Sequence, residues 1–324
     1  MDMLALAINN LISPIILSFV LGLGAALARS DLTIPEAVAK GMSIYLLFAI
    51  GFKGGAGVAA HGVDGTLIAT ILSGLVLSFL LPFIAYALLR VMTPYDTVNS
   101  AAVAAHYGSI SIVTFVAATS VLEGQGLDPE GYMVAVAAVM EAPAILSALW
   151  LVSRSGGTTT ASSGLYREIM LNGSIVLLVG SFLIGMVTGE KGLTQIAPFI
   201  IAPFQGVLCL FLLDMGLVAG RGLRETRGDL GLGAIGFGIL MPLLGSLFGL
   251  CCGLLIGLST GGVALLMTLA ASASYIAVPA AMRVALPEAR PSIYLTLSLG
   301  VTFPFNLTIG IPLYSSLAAT FAGG

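Results

Sequence analysis

The sequence is poor in charge, since Asp, Glu, Lys and Arg together make up only 8% of its 324 residues. A soluble domain carries about a quarter of its residues charged, so this chain has too little polar surface to cover a water-soluble particle. Hydrophobic residues make up 58%, and the mean hydropathy is +1.09. Several apolar stretches exceed the ~20 residues that a spanning helix needs. The composition therefore predicts an all-α membrane protein.

Cysteine and recognisable catalytic motifs are also scarce. Cys209, Cys251 and Cys252 lie inside apolar runs, and their spacing fits neither a metal site nor a disulfide framework. The sequence contains no nucleophile elbow, phosphate-binding loop or paired-histidine motif. We therefore expect neither an enzyme nor a nucleic-acid partner, and no organic cofactor.

Ten apolar segments predict ten transmembrane helices: 11–28, 36–52, 66–90, 98–122, 129–152, 171–189, 196–219, 230–258, 262–285 and 291–320. With the amino terminus placed outside, all 12 Lys and Arg except Lys53 and Lys191 fall on the cytoplasmic side. This distribution follows the positive-inside rule. We therefore expect a multi-pass protein of a bacterial inner membrane, with both termini outside.

The two halves of the sequence repeat. Matching prolines recur at a spacing of 160 to 163 residues: Pro35 and Pro198, Pro82 and Pro242, Pro143 and Pro304. These matches predict a first five-helix repeat over 1–152, a cytoplasmic linker over 153–170 and a second repeat over 171–324. Because five is odd, the second repeat is inserted upside down relative to the first. Inverted repeats are typical of secondary transporters that bind solute near the membrane midplane.

Spans 4 and 9 combine Ser or Thr with Gly or Pro in mid-membrane, which predicts two broken, crossing helices. Their second halves are predicted to begin near Ile112 and Pro279, where free N–H groups and positive dipole ends would bind an anion. Alternatively, the hydroxyls bond to carbonyls of their own helices. The candidate solute-binding residues are Gly108, Ser109, Ser111, Thr114, Ser272, Ala273, Ser274 and Tyr275.

Two acids lie inside predicted spans, Glu141 in span 5 and Asp214 in span 7. An ionised carboxylate at the centre of a spanning helix costs at least ~2.5–3.5 kcal/mol, so it needs a cation, a proton or a hydrogen-bonding partner. Glu141 lies two residues before a proline and is the candidate site for a coupling ion. Thr302 and Asn306, at the matching place in the second half, are candidate neutral oxygen ligands.

At these motifs the chain resembles the sodium-dependent bicarbonate permease family, known from inorganic-carbon uptake in cyanobacteria. The resemblance covers nearly the whole chain and rests on landmarks in order, at residues 50–55, 108–114, 140–143, 215–216, 272–279 and 309–313. It implies ten helices in two inverted repeats, a homotrimer, and a core domain that moves against a gate domain. It also implies that bicarbonate and sodium bind between the broken helices.

The resemblance also assigns residues. Gly108, Ser111 and Thr114 match the family element in span 4, Glu141 matches its acid before proline, and Ser272, Ser274, Ile276 and Pro279 match its pattern in span 9. However, Tyr275 stands where the family has an Asp that helps to hold sodium. This departure opens the alternative of proton coupling. The linker is shorter than in the cyanobacterial members, so a PII-type regulatory partner is not expected.

The sequence thus predicts a secondary active transporter of a small anion, bicarbonate first, coupled to sodium or protons by elevator-like alternating access. The alternatives are an organic anion carrier or a cation/proton antiporter of the same architecture, and, from other classes, a channel or a membrane sensor. An antiporter would have paired acids near the crossing, and a sensor would have a soluble signalling domain. The sequence contains neither feature.

Overall fold

The computed structural model describes residues 12–62, 64–141, 143–154, 173–225, 230–275 and 277–323, and every regular element in these stretches is a helix. The helices are α1 (Pro14–Leu27), α2 (Glu36–His61), α3 (Gly65–Met92), α4 (Thr97–Gly108), α5 (Ile112–Gly124), α6 (Met133–Val139), α7 (Pro143–Arg154), α8 (Gly173–Ile200), α9 (Phe204–Glu225), α10 (Leu232–Ile256), α11 (Thr260–Ala271), α12 (Ala277–Ala285), α13 (Pro291–Leu295), α14 (Phe303–Phe305) and α15 (Ile311–Ala322). Two π-helical stretches, Thr296–Thr302 and Asn306–Gly310, connect α13, α14 and α15 into one continuous helical segment.

Eight helical segments among the described residues are long and apolar enough to cross a membrane. Two more apolar helices, α1 and α11, are shorter, at 14 and 12 residues. An all-helical membrane protein is therefore confirmed. The count of ten spans and the inverted repeat stay predictions, although each of these ten segments overlaps one of the predicted spans.

Two helices run further than the sequence predicts. The second predicted span ends at residue 52, whereas α2 continues to His61. The sixth ends at residue 189, where Gly189 has a left-handed φ of 58°, but the chain is helical again as far as Ile200. Both Lys53 and Lys191 therefore lie in helices and not in loops. Helix α2 continues because the charge of Lys53 is paired with Glu123 and the glycines beside it pack against neighbouring backbone.

The predicted linker 153–170 lies almost entirely outside the described residues, and so does residue 11, where the first predicted span begins. The first two linker positions, Ser153 and Arg154, form the end of α7. Helix α7 therefore continues two residues beyond the predicted end of the first repeat.

Two helices from the first half of the chain each pack along a helix from the second half. Helix α1 packs along α9, and α2 packs along α8. Glycines permit this close approach, because a Cβ at Gly22 would lie 2.0 Å from the Leu213 carbonyl oxygen and one at Gly216 would lie 2.2 Å from that of Phe19. Small residues commonly serve this purpose between membrane helices. We call α1, α2, α8 and α9 the four-helix group.

The remaining helices form a core group. In it α3 packs against α4 and α7, while α10 packs against α11 and also against α3. The four-helix group contacts the core group mainly through α6 and the Thr296–Thr302 stretch. The two broken segments, α4 with α5 and α11 with α12, belong to the core group.

Candidate functional site

The first break separates α4 from α5. Helix α4 ends at Gly108, and Ser109 has an extended backbone with φ −91° and ψ 154°. Ser111 caps the start of α5, since its Oγ accepts a hydrogen bond of 3.2 Å from the Thr114 N–H. The serine hydroxyl thus satisfies one of the donors that a helix start leaves free.

The second break separates α11 from α12. Helix α11 ends at Ala271, and Ser272 has an extended backbone with φ −83° and ψ 163°. Helix α12 begins at Ala277, so Pro279 is its third residue and not its first. A proline is still tolerated there, because the first turn of a helix needs no internal N–H donors. Ile276 lies outside the described residues.

The two breaks are hydrogen-bonded to each other. The Ser111 N–H donates to Ser272 Oγ at 3.0 Å, and the Ser274 N–H donates to the His106 carbonyl at 2.7 Å. Ser272 Oγ in turn donates to the Leu269 carbonyl at 2.9 Å. Main-chain groups that the breaks release from helical bonding thereby find partners in the opposite segment, as buried backbone groups must.

A third break lies beside these two. Helix α6 ends at Val139 and α7 begins at Pro143, so Glu141 lies between two helices. The Ser78 hydroxyl of α3 donates to the Met140 carbonyl at 2.6 Å and holds the end of α6. The Glu141 side chain is only 2% exposed.

The three breaks enclose a narrow space that is too tight for a water molecule, and its walls are formed by Ile110, Ser111, Ile112, Glu141, Ser274 and Tyr275. Glu141 Oε2 and the Tyr275 hydroxyl are buried in the structure and have no hydrogen-bond partner among the described residues. Ser109 Oγ, at the first break, is also buried without a hydrogen-bond partner among the described residues. A buried polar group without a partner costs about 1–3 kcal/mol, so three such groups together indicate a site that binds something polar.

A model of the Na+-dependent bicarbonate transporter superfamily matches residues 14–319, from the start of α1 to within three residues of the end of α15. The chain belongs to that superfamily. Because this is a family of transporters, the chain is not an enzyme. No curated protein sequence matches it.

In this transporter, four of the predicted residues line the narrow space: Ser111, Ser274, Tyr275 and Glu141. Thr114 and Ser272 take part in capping and in the bond between the breaks. Ala273 is buried between Ser272 and Ser274. Gly108 packs against α3, since a Cβ there would lie 2.3 Å from Pro82 Cγ.

Thr302 and Asn306, predicted as ligands of a coupling ion, are engaged in other bonds. Thr302 Oγ1 donates to the Gly238 carbonyl at 2.6 Å and receives the Tyr107 hydroxyl at 2.7 Å. The Asn306 amide donates to the Ala271 carbonyl at 2.8 Å, and its Oδ1 accepts from the Tyr314 hydroxyl at 2.9 Å. Asn306 thus holds the end of α11 at the second break.

His106, the remaining titratable residue of span 4, makes one hydrogen bond and one ring-stacking contact. Its Nδ1 lies 2.6 Å from the Ala102 carbonyl, so Nδ1 carries the proton. Its ring stacks on that of Tyr294, with the ring centroids 4.5 Å apart. Its other ring nitrogen, Nε2, is buried and has no hydrogen-bond partner among the described residues.

The sequence reasoning missed Ser78, which is fully buried and fixes the chain just before Glu141. Its only signal is a hydroxyl four residues before Pro82 in an apolar span. Serine is common in membrane helices, where it usually bonds to its own backbone. Only the three-dimensional structure shows that this hydroxyl bonds to a carbonyl 62 residues away.

Replacement of Ser272 by Ala is expected to loosen the contact between the breaks. The Ser111 N–H would lose its acceptor in a buried place, at about 1–3 kcal/mol. We expect a lower melting temperature in detergent together with reduced anion uptake. Ser315→Ala is the matched control, because the Ser315 hydroxyl is buried and donates to the Pro312 carbonyl of its own helix. Equal behaviour of the two variants would contradict the role of Ser272.

Proposed function

We propose that the chain is a secondary active transporter that imports a small anion, bicarbonate in the first place, together with sodium or protons. The observation that carries the proposal is the narrow space where the breaks meet. Helices α5 and α12 both begin there, and helix starts offer N–H groups and a positive dipole end to an anion. Lys and Arg are absent from the described lining of the space. An anion held by dipoles and hydroxyls alone binds weakly enough to be released.

The coupling ion follows from the position of Glu141. An ionised carboxylate and a solute anion about 5 Å apart repel each other by ~3 kcal/mol at an effective dielectric constant of ~20. The anion therefore enters together with a cation or a proton that neutralises Glu141. In this proposal Ser111, Ser274 and Tyr275 contact the solute, and Asn306 acts by holding the end of α11.

Alternating access follows from how tight the space is. A solute fits only if the walls move apart, and the junction between the four-helix group and the core group is the natural plane of movement. We therefore propose an elevator-like mechanism in which the core group carries the solute past the four-helix group. The remaining features of the proposal are ten spans in two inverted repeats, both termini outside, a bacterial inner membrane and a homotrimer without a PII-type regulator.

The deciding experiment measures uptake of labelled bicarbonate, and separately of small carboxylates, into proteoliposomes with an imposed sodium or proton gradient. We expect saturable bicarbonate uptake driven by at least one gradient and absent from protein-free vesicles. Uptake that never saturates and ignores both gradients would indicate a channel instead. Uptake of carboxylates without bicarbonate would indicate an organic anion carrier.

Tyr275 offers a direct test of sodium coupling. Replacement by Asp places a second carboxylate beside Glu141, and hard cations such as sodium prefer oxygen ligands that carry charge. We expect sodium to stimulate uptake by Tyr275→Asp more strongly than uptake by the wild type, with a lower sodium concentration at half-maximal rate. Tyr275→Phe, which removes only the hydroxyl, is the control and should gain no sodium response. An unchanged sodium response in Tyr275→Asp would contradict this assignment.

A further inference from the structure

A second cavity lies between α2 of the four-helix group and α5 of the core group. Helix α2 contributes Ile50, Lys53 and Gly54 to its walls, and α5 contributes Phe115, Thr119 and Glu123. The three α5 residues are spaced four apart, so they lie along one face of that helix. The cavity therefore follows α5 lengthwise.

The inner end of this cavity approaches the helix break. Phe115 lies four residues after Ser111, which is about 6 Å along a helix that rises ~1.5 Å per residue. Glu123 lies about 12 Å further on, one residue before the end of α5. The cavity thus extends from the end of α5 to within about one helical turn of the first break.

An ion pair joins the two walls of the cavity. Lys53 Nζ lies 2.8 Å from Glu123 Oε1, and the two side chains are 32% and 39% exposed. This is the only salt bridge between two side chains of the described residues. It connects the four-helix group to the core group, and the ring of Phe204, at the start of α9, lies 5.9 Å from the ammonium.

Two more carboxylates line the cavity, and one of their oxygens, Glu130 Oε2, is buried without a hydrogen-bond partner among the described residues. Asp128 and Glu130 also line the cavity, and Lys53 is its one cation among the described residues. Glu130 Oε1 accepts the Ser259 N–H at 2.7 Å, at the start of α11, where the helix dipole compensates a negative charge. Asp128 is exposed to solvent. Glu123 is therefore the carboxylate that holds Lys53.

Next to the pair, the two groups meet backbone to backbone. A Cβ at Gly54 would lie 2.5 Å from Val134 Cγ2 and 2.8 Å from the Gly131 carbonyl oxygen, and one at Gly57 would lie 3.3 Å from Gly131 Cα. Gly57 and Gly131 face each other without side chains, and the Val134 side chain fills the space beside Gly54. The ion pair adds a directional polar contact to this close apolar packing.

We propose that Lys53 and Glu123 form an ionic latch that closes this cavity, and that the cavity is a route to the helix break when the latch opens. The inference rests on the proposed transport function, because only a moving core group would need to open it. A half-exposed ion pair suits a latch, because such a pair stabilises the closed arrangement by only about 1 kcal/mol or less and therefore separates readily.

The test uses Thr119→Cys as a reporter inside the cavity, in a chain whose Cys209, Cys251 and Cys252 are replaced by Ala. The rate of its reaction with a small, membrane-impermeant thiol reagent is measured with reagent added to either side of the membrane. Lys53→Met and Glu123→Gln should each raise that rate by about two- to fivefold, the range set by a pair of this exposure. The double variant Lys53→Glu with Glu123→Lys should restore the slow rate. Thr320→Cys, at the exposed end of α15, is the control and should react equally in all backgrounds.

Two results would overturn the latch: an equal Thr119→Cys rate in all backgrounds, or a raised rate that the charge swap fails to restore. Bicarbonate uptake by the reporter chain separates this inference from the function on which it rests. If the chain transports bicarbonate while the labelling rate ignores Lys53 and Glu123, only the latch is wrong. If the labelling rate responds while no anion is transported, the latch is supported and the proposed function is wrong.

Discussion

Glu141→Gln is expected to abolish uptake of bicarbonate against a concentration gradient. The amide keeps the size of the side chain but takes up neither a proton nor the charge of a cation. Movement of the anion would then no longer be linked to the ion gradient. If the link depends on the ~3 kcal/mol repulsion between the carboxylate and the anion, its loss corresponds to about a hundredfold in anion accumulation.

The measurement compares two modes of transport in the same proteoliposomes. Gradient-driven uptake by Glu141→Gln should fall to the level of protein-free vesicles, whereas exchange of labelled for unlabelled bicarbonate at equal concentrations should continue. Continued exchange shows that the protein is folded and still binds its solute. Asp214→Asn is the matched control, because Asp214 is a second acid with low exposure, lies in α9 and does not line the narrow space. Gradient-driven uptake that survives in Glu141→Gln would exclude Glu141 as the coupling residue.

The sequence predicts the two breaks well because each depends on local residue types. Ser beside Gly or Pro in mid-membrane weakens a helix whatever surrounds it, and Ser111 and Ser272 are at the predicted places. Helix α12 begins two residues before the predicted start at Pro279. Proline fits any position of the first helical turn, so its place in the sequence does not fix the first residue of the helix.

Contacts between distant segments could not be predicted in the same way. Lys53 reads as the end of a span because a lone lysine is costly in lipid, yet Glu123, 70 residues later, pairs with it and lets α2 continue. Asn306 reads as an ion ligand because it lies near Pro304, at the place in the second half that matches Glu141 near Pro143. Its partners, Ala271 and Tyr314, are instead groups of the protein itself. Residue type shows that a buried polar group needs a partner, but only packing shows which partner it has.

Gly108→Ala is expected to reduce bicarbonate uptake by at least about fivefold. The overpacking costs about 1–3 kcal/mol, and moving the end of α4 would relieve it. The added methyl group would lie 2.3 Å from Pro82 Cγ and 2.7 Å from the Ser78 carbonyl oxygen. A backbone oxygen cannot turn aside as a flexible side chain can. Moving α4 away from α3 would shift the His106 carbonyl from the Ser274 N–H and separate the two breaks.

Gly124→Ala is the matched control for this change, since Gly124 ends the second half of the same broken segment and nothing lies within 4 Å of a Cβ there. It should transport at the wild-type rate with an unchanged melting temperature, because alanine is the better helix former. Gly108→Ala should lower both quantities. Loss of uptake at an unchanged melting temperature would show that the position of the break matters to binding more than to folding. Wild-type uptake in Gly108→Ala would mean that the contact between α3 and α4 does not fix the break, and the geometry of the proposed site would have to be abandoned.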